Sequence, residues 1–166
     1  LIDSDSLKSR LKTASVMLQN CVDLVSSWSP DLILYAGDRE DVLVGAMIGV
    51  YLAIPTMHFF GGDHEKDGHA DTVVRHATSK LSTVHVVSTA QHKRRLLAMG
   101  EPDDRILVAG SVALDKFRSA CLSPLRCTDE ILPGEKELSG YAMLIYHPMD
   151  ERTEDPASCF ENILLS

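Results

Sequence analysis

The sequence has little of what membrane, secreted and nucleic-acid-binding proteins contain. No run of 18 apolar residues is present, which predicts no membrane span. Residues 1–5 are not a basic stretch followed by an apolar one, so they predict no signal peptide. Basic residues number 16 against 24 acidic ones, and a net charge of −8 without a basic cluster argues against binding to nucleic-acid phosphates. We therefore predict a cytoplasmic chain that has neither a nucleic-acid partner nor a membrane partner.

Aromatic and cysteine residues are also scarce. Aromatic residues form 5% of a chain that is 45% hydrophobic, so the core is predicted to be mainly aliphatic. The four cysteines include no CxxC pair, which favours reduced, buried thiols over a disulfide or a metal site. The dinucleotide fingerprint GxGxxG is absent as well. We predict neither a cofactor nor a metal.

What the sequence does contain is an alternation of short apolar runs and segments with helical periodicity. The spacing of apolar residues predicts helices at 7–28, 41–52, 71–81 and 90–99. Apolar runs predict strands at 31–36, 54–60, 84–88 and 105–110. The alternation is typical of an α/β fold with a doubly wound, mostly parallel, Rossmann-like sheet. Because residues 32–36 are continuously apolar, we expect the first strand to be covered on both faces.

The pattern changes after residue 118, which indicates a domain boundary. Residues 119–140 combine prolines, Gly134 and charges, and they predict a linker. Residues 141–146 predict one further strand, the start of a second Rossmann-like domain over residues 141–166. One strand and a tail do not make a domain, and no initiator Met is present. The 166 residues are therefore expected to be a piece of a longer chain.

Candidate ligand-binding residues lie where the predicted strands end, because ligands of open α/β sheets bind beyond the carboxyl ends of the strands. Asp38 is either a helix cap or a functional carboxylate beside Arg39. Gly61 and Gly62 form either a flexible turn or a place where a phosphate approaches the backbone. The strand ends as a group are Gly37-Asp38-Arg39, residues 58–63, Ser88-Thr89, Gly110-Ser111 and His147-Pro148.

The segment 62–76 is unusually polar. A calcium-binding loop is rejected because Val74 stands where a bidentate Glu is required. A zinc site is not supported, since HExxH and CxxC spacings are absent around His58, His64, His69 and His76. The remaining alternatives are a solvated loop and an ordered loop that lines a polar pocket, and we favour the second. Asp71 and Arg75 share a helix face, and in the simplest interpretation they pair with each other.

Taken in order, these residues resemble a known family. Gly37-Asp38-Arg39, His58-x-x-Gly61-Gly62-Asp63, Asp71-x-x-x-Arg75-His76 and Val87-Ser88-Thr89 follow one another as in the UDP-N-acetylglucosamine 2-epimerases. The sequence is most similar to the hydrolysing branch of sialic-acid-type pathways. Residues 99–111 and His147-Pro148 continue the same order, so the resemblance covers most of residues 30–148.

The resemblance implies half of a glycosyltransferase-B-type fold, in which two Rossmann-like domains face each other across a cleft. Residues 1–118 would be the later part of the N-terminal domain, and residues 141–166 the start of the second one. The implied partner is UDP-N-acetylglucosamine or a related UDP-sugar. Elimination of UDP would give a 2-acetamidoglucal, and addition of water would give an N-acetylmannosamine-type sugar. We also expect a homo-oligomer.

The resemblance also assigns roles to individual residues. Asp38, Asp71 and His147 match catalytic or cleft-facing positions of the family. Many members carry a catalytic Glu where this chain has Phe60, and we expect Asp63 to take over that proton transfer. The implied substrate-binding and pocket residues are Arg39, His58, Gly61, Gly62, Arg75, His76 and Ser111.

Two departures keep other functions open. Phe60 cannot transfer a proton, and Thr72 stands where many members have a second acid before the Arg. One alternative is a non-hydrolysing epimerase that returns a UDP-sugar. The other is a sugar-nucleotide-binding homologue without catalysis. The fragment alone is expected to lack half of the cleft.

Overall fold

A computed structural model of the chain describes residues 6–64, 70–120, 144–146 and 155–165. The chain divides into two compact units, Leu1–Ser119 and Ala120–Ser166. The sheet lies in the first unit. Most of the predicted linker, half of the predicted strand 141–146, and His147 lie outside the described residues.

Helices and strands alternate along the first unit, as predicted. The helices are α1 (Leu7–Trp28), α2 (Glu40–Tyr51), α3 (Ala70–Leu81) and α4 (Ala90–Ala98). The strands are β1 (Ile33–Ala36), β2 (Thr56–Phe59), β3 (Val84–Val87) and β4 (Ile106–Val108). Short 3-10 helices, Asp103–Arg105 and Val112–Leu114, flank β4, and α5 (Asp115–Ala120) follows. The elements predicted between residues 7 and 110 are confirmed, with ends that differ by a few residues.

Polar side chains fix the beginnings of two helices. The Ser6 hydroxyl accepts a hydrogen bond from the N–H of Ser9 at 3.3 Å at the start of α1. The Thr89 hydroxyl accepts one from the N–H of His92 at 3.2 Å at the start of α4. Both satisfy backbone donors that a helix start leaves without an intrahelical partner. Thr89 thereby fixes α4 next to the carboxyl end of β3.

The four strands of the first unit form one parallel sheet in the order β1-β2-β3-β4. The register places Tyr35 beside His58, His58 beside His85, and His85 beside Ile106. Right-handed crossovers between successive parallel strands put all the connecting helices on one face of such a sheet. The predicted α/β fold with a parallel sheet and flanking helices is confirmed.

The contacts of α3 and α4 show that these helices cover the face of the sheet that carries His58. Ser79 of α3 lies 3.2 Å from His58 Nδ1. Leu96 of α4 forms a buried cluster with Val87 and Ile106. These contacts place α3 and α4 against the side of the sheet on which polar as well as apolar side chains are buried.

The expectation that the first strand is covered on both faces is wrong. Leu34 is 58% exposed, and side chains along β1 alternate between half-buried and exposed. Leu34 points away from the His58 face because successive side chains of a strand point to opposite sides. Leu107 of β4 lies on the same side as Leu34 and is 59% exposed. The apolar run therefore predicts a strand without fixing how many of its faces are covered.

The second unit contains a helix that the sequence did not lead us to predict, α6 (Pro156–Leu165). The Asp155 carboxylate accepts a hydrogen bond from the N–H of Ser158 at 3.1 Å at its start. Residues 144–146, the described part of the predicted strand, have no regular secondary structure. None of the helices in the described part of the chain has the length and apolar character that crossing a membrane requires.

Candidate active site

Two carboxylates and one guanidinium meet at the carboxyl ends of β1 and β2. Asp38 lies two residues after β1, and Asp63 lies in the loop after β2. Arg75 of α3 forms an ion pair with each: Nη2 contacts Asp38 Oδ2, and Nη1 lies 3.1 Å from Asp63 Oδ2. The Arg75 side chain is 7% exposed, whereas those of Asp38 and Asp63 are 21% and 45% exposed. We call these three residues the Arg75 cluster.

The surroundings of Asp63 favour its ionised form. Burial raises the pKa of the Asp63 carboxyl, but the His64 N–H and the positive charges of Arg75 and His92 outweigh it, so the pKa lies below its usual value. The His64 N–H is 2.9 Å from Asp63 Oδ1, and His92 Nε2 is 3.4 Å from the same oxygen. An ionised, half-exposed carboxylate at the strand ends has the protonation state that a general base needs.

His58 lies beneath the cluster and is fully buried, at 0% exposed. Its Nε2 lies 2.9 Å from the carbonyl oxygen of Gly37, and its Nδ1 lies 3.2 Å from Ser79 Oγ. A carbonyl oxygen only accepts, so Nε2 donates to it, while the Ser79 hydroxyl beside Nδ1 donates to the carbonyl of Arg75 at 2.9 Å. Burial lowers the pKa of His58 to about 4, so the ring is neutral. Of the two predicted roles for His58, binding substrate or shaping the pocket, the structure favours the second, because the buried ring holds the turn that precedes Asp38.

Both glycines of the pair, Gly61 and Gly62, are buried against neighbouring parts of the protein. A Cβ on Gly61 would lie 3.2 Å from Ser79 Oγ and 3.3 Å from His58 Nδ1. A Cβ on Gly62 would lie 2.3 Å from the backbone oxygen of His92, and Gly62 has a φ of +74°. Glycine is needed here because the loop after β2 packs directly on α3 and α4.

Replacement of Gly62 with alanine is expected to destabilise the chain by at least about 1 kcal/mol more than the same change at Gly100. Both glycines have left-handed backbones, with φ of +74° and +86°. Only Gly62 has a backbone atom in the way, because nothing lies within 4 Å of a Cβ on Gly100. Urea denaturation of the two variants measures the difference. Equal losses of unfolding free energy would contradict the packing role.

Phe60 has a backbone conformation that is unusual for a residue with a side chain. Its φ is +67°, in the left-handed region, where a non-glycine residue costs roughly 1 kcal/mol. Its N–H donates to the carbonyl of Val86 at 3.1 Å, and its carbonyl accepts from Arg75 Nη1 at 3.4 Å. The two bonds hold the turn that leads to Asp63. The side chain at this position supplies no carboxylate.

Asp71 is bound by an arginine from another helix. Arg10 Nη2 of α1 lies 3.0 Å from Asp71 Oδ1 and 2.8 Å from Glu40 Oε2 at the start of α2. The hydrogen bonds from Arg10 lower the pKa of Glu40 below its usual value, although burial opposes them. The Asp71 side chain is 15% exposed. Arg10 thus joins α1, α2 and α3 close to the strand ends.

A second group of basic side chains borders the loop after β2. The rings of His64 and His76 are stacked, with centroids 5.7 Å apart and His64 Nδ1 3.4 Å from His76 Nε2. Burial and then the positive charges of His64 and Arg75 lower the pKa of His76. A groove of about 420 Å³ is lined by His64, His76, Arg95, Ala98 and Met99. Of the predicted polar segment, His64 and His76 line this groove together with the apolar side chains of Ala98 and Met99, and residues 65–69 lie outside the described residues.

The remaining predicted site residues are placed less closely together. Arg39 is exposed after the Asp38 turn, and Ser111 is half-buried after β4. His147 lies outside the described residues. Within the ranges that the structure describes, no group of three or more His, Cys, Asp or Glu side chains is arranged to hold a metal ion.

Sequence reasoning missed three residues that shape the site: Arg10, His92 and Arg95. Arg10 precedes its partner Glu40 by 30 positions, and no local pattern signals that contact. Arg95 donates from Nη1 to the carbonyl of Gly62 at 3.1 Å. Lys93, Arg94 and Arg95 are consecutive in the sequence and point in different directions from the helix, so which of them turns toward the loop follows from the packing of α4.

Comparison with known proteins identifies the family. Residues 1–165 match the family described as UDP-N-acetylglucosamine 2-epimerase. The chain belongs to this family. The match covers the Arg75 cluster together with the loop and helices that hold it, so the resemblance in the motif order is confirmed.

Curated epimerases are similar to the chain over part of their length. The UDP-N,N'-diacetylbacillosamine 2-epimerase (hydrolyzing) of Legionella pneumophila is 32% identical over 142 residues, 86% of this chain and 37% of that protein. The UDP-N-acetylglucosamine 2-epimerase of Neisseria meningitidis serogroup B is 34% identical over 139 residues, 80% of this chain and 35% of that protein. The chain thus spans little more than a third of the length of these relatives.

Solved epimerase structures share the fold. The UDP-GlcNAc 2-epimerase of Methanocaldococcus jannaschii superimposes with a TM-score of 0.61 at 25% identity, over 68% of this chain and 31% of that one. The Neisseria meningitidis enzyme bound to UDP-GlcNAc gives a TM-score of 0.65 at 22% identity, over 73% of this chain and 33% of that one. The parallel sheet and its helices therefore form part of the fold of the family.

Proposed function

We propose that the full-length protein is a hydrolysing UDP-sugar 2-epimerase that acts on UDP-N-acetylglucosamine or a closely related UDP-2-acetamido sugar. Its products would be UDP and an N-acetylmannosamine-type sugar. The observation that carries the proposal is the Arg75 cluster, in which one buried guanidinium holds two partly exposed carboxylates at the ligand-binding edge of a parallel sheet. Family membership and the hydrolysing relatives from Legionella pneumophila and Campylobacter jejuni support it.

The reaction needs groups that move a proton at C2 of the sugar. In the first step the C2–H bond breaks, its electrons form the C1=C2 double bond, and the C1–O bond breaks as UDP leaves. In the second step water adds at C1 and C2 takes up a proton from the opposite face. Asp38 and Asp63 are the carboxylates that we assign to these transfers, because both reach the strand ends and Arg75 holds them in place.

Other residues complete the proposed site. We assign Asp71 and His147 to catalysis, and Arg39, Arg75, His76 and Ser111 to the substrate or the walls of its pocket. Arg75 acts from within the cluster, since its side chain is 7% exposed. A homo-oligomer and a cytoplasmic location remain predictions.

A non-hydrolysing epimerase is the second candidate. The Neisseria meningitidis relative, at 34% identity, is a UDP-N-acetylglucosamine 2-epimerase, which fits either reaction. The non-hydrolysing reaction shares the elimination step but re-adds UDP at C1 instead of water. The Arg75 cluster suits both reactions, because both need the same proton transfer at C2.

Product analysis of the full-length protein tests the proposal. Incubated in D2O with UDP-N-acetylglucosamine, or with UDP-N,N'-diacetylbacillosamine, it is expected to release UDP and a free 2-epimeric sugar with deuterium at C2. Proton NMR and anion-exchange chromatography detect both products. A deuterated UDP-sugar epimer without free UDP would instead establish the second candidate. Unchanged substrate, bound but not converted, would mean a non-catalytic homologue and would overturn the proposal.

A further inference from the structure

His92 of α4 contacts the one carboxylate of the Arg75 cluster that is nearly half exposed. Its Nε2 lies 3.4 Å from Asp63 Oδ1, and its own side chain is 15% exposed. A carboxylate only accepts, so within this contact the ring can interact favourably with Asp63 only through a hydrogen on Nε2. The His92 Nδ1 is buried and has no hydrogen-bond partner among the residues that the structure describes. Asp63 is therefore the polar partner toward which the ring is turned.

Backbone packing fixes His92 relative to the loop that carries Asp63. The backbone oxygen of His92 lies where a Cβ on Gly62 would be only 2.3 Å away. One turn later, Arg95 donates to the Gly62 carbonyl at 3.1 Å. The His92 N–H is itself held by the Thr89 cap at 3.2 Å. These three contacts fix the backbone of His92 beside the loop, so its imidazole is held next to the Asp63 carboxylate.

The two carboxylate oxygens of Asp63 have different neighbours and therefore different roles. Oδ1 accepts a hydrogen bond from the N–H of His64 at 2.9 Å, and its second polar neighbour is His92 Nε2 at 3.4 Å. Oδ2 faces Arg75 Nη1 at 3.1 Å, which leaves one lone pair. Oδ2 is therefore the oxygen that can take a proton from a ligand, while Oδ1 is the one by which the carboxylate is held.

We infer that His92 is a positioning residue for Asp63: it holds Oδ1 so that the free lone pair of Oδ2 faces the substrate. This inference rests on the proposed function, since it presumes that Asp63 moves a proton. The inference also bears on Phe60, which stands where many family members have a catalytic Glu. Asp63 supplies its carboxylate from a different position in the loop, and a carboxylate there needs its own supporting contact. The Nε2–Oδ1 distance is long for a hydrogen bond, and contacts of this kind commonly tighten when substrate binds.

The charged and titratable groups around the pair come from three elements. Arg75 reaches Asp63 from α3, His64 adjoins it in the loop, and Arg95 lies one turn from His92 on α4. Asp38 shares Arg75 with Asp63. The side chain of His92 contacts Asp63, and its removal leaves the ion pair of Arg75 with Asp38 untouched, so it offers a clean variant.

The test compares His92→Ala, His92→Gln and Gln91→Ala in the full-length protein. Gln keeps an N–H donor at the position of Nε2, whereas Ala removes it, and Gln91 is an exposed neighbour on α4 that serves as the control. For His92→Ala we expect kcat to fall by about 10-fold with little change in KM, and the acid limb of the kcat/KM profile to move up by about one pH unit. His92→Gln is expected to restore kcat because it keeps the donor, but not the acid limb, because it lacks the positive charge of His92. Gln91→Ala is expected to match the wild type.

A second measurement does not depend on turnover. The titration of the Asp63 carboxyl carbon, followed by 13C NMR and assigned with Asp63→Asn, is expected to move up in His92→Ala, and to move up less in His92→Gln, which keeps an N–H donor but not the charge. Wild-type turnover with unchanged profiles and an unchanged Asp63 titration in His92→Ala would overturn the inference and leave the proposed function standing. If the wild type is inactive and the Asp63 titration still shifts in His92→Ala, the contact between His92 and Asp63 exists but has no catalytic role. That result would overturn both the inference and the proposed function.

Discussion

Replacement of Asp38 with asparagine is expected to lower kcat/KM of the full-length protein for its UDP-sugar by about 100-fold to 10,000-fold. Asparagine is nearly the same size and can still accept the hydrogen bond from Arg75, so the cluster stays assembled. What it loses is the ability to take up a proton. Steady-state assays of UDP release measure the loss, and circular dichroism checks that the fold is intact.

Asp41→Asn is the matched control for this experiment. Asp41 is exposed in the first turn of α2, three residues after Asp38, and the same loss of one negative charge there leaves the Arg75 cluster untouched. We expect its kcat/KM to stay within about two-fold of the wild type. Equal losses in both variants would mean that charge near α2, rather than proton transfer by Asp38, controls the rate.

The fold of the first unit could be predicted because its signals are local. Apolar runs of a few residues and helical spacing over ten or more are set by which face each residue buries, and neither needs a distant partner. The exposure of Leu34 could not be predicted in this way. The exposure of Leu34 depends on which face of the sheet the neighbouring helices cover. That face can be named only when both the strand order and the crossovers between the strands are known.

The sequence predicted that the site lies at the strand ends, but it did not predict the role of each single residue there. Asp38, Asp63 and Arg75 meet because the ends of parallel strands share one edge of the sheet. His58 and the glycine pair belong to the same motif, but a motif does not tell which members face a ligand and which face the core. Burial separates them, since His58 is 0% exposed while Asp63 keeps 45%.

The contacts that organise the site are the ones that sequence reasoning could not reach. Arg10 joins Glu40 and Asp71 across 30 and 61 positions, and Arg95 binds a loop carbonyl 33 positions earlier. Long, flexible cationic side chains leave no periodic signal, because their charged ends can meet partners far from their own place in the backbone. The proposed mechanism therefore depends on tertiary contacts that form only in the folded chain and that the sequence motif does not specify.

Acidification from pH 7 to pH 4 is expected to destabilise the chain by about 3 kcal/mol through His58 alone. The pKa of His58 is lowered from 6.5 to about 4, chiefly because the ring is buried. Below pH 6.5 the unfolded chain binds a proton that the folded chain does not. Stability that is fully present above pH 6.5 is therefore lost steadily down to about pH 4, and below that both states are protonated and His58 contributes no further loss.

Urea denaturation at several pH values, on wild type and His58→Gln, isolates this contribution from the carboxylates that also titrate in acid. Glutamine can donate to the Gly37 carbonyl but cannot be protonated, so the stability advantage of the wild type should shrink by about 3 kcal/mol between pH 7 and pH 4. Ser79→Ala is the control: it removes the hydroxyl partner of Nδ1 while the ring stays buried, so it should lower stability overall and keep the pH dependence. Parallel curves for wild type and His58→Gln would show instead that the folded chain protonates His58 at its ordinary pKa of 6.5, and the lowered pKa of the buried ring would have to be abandoned.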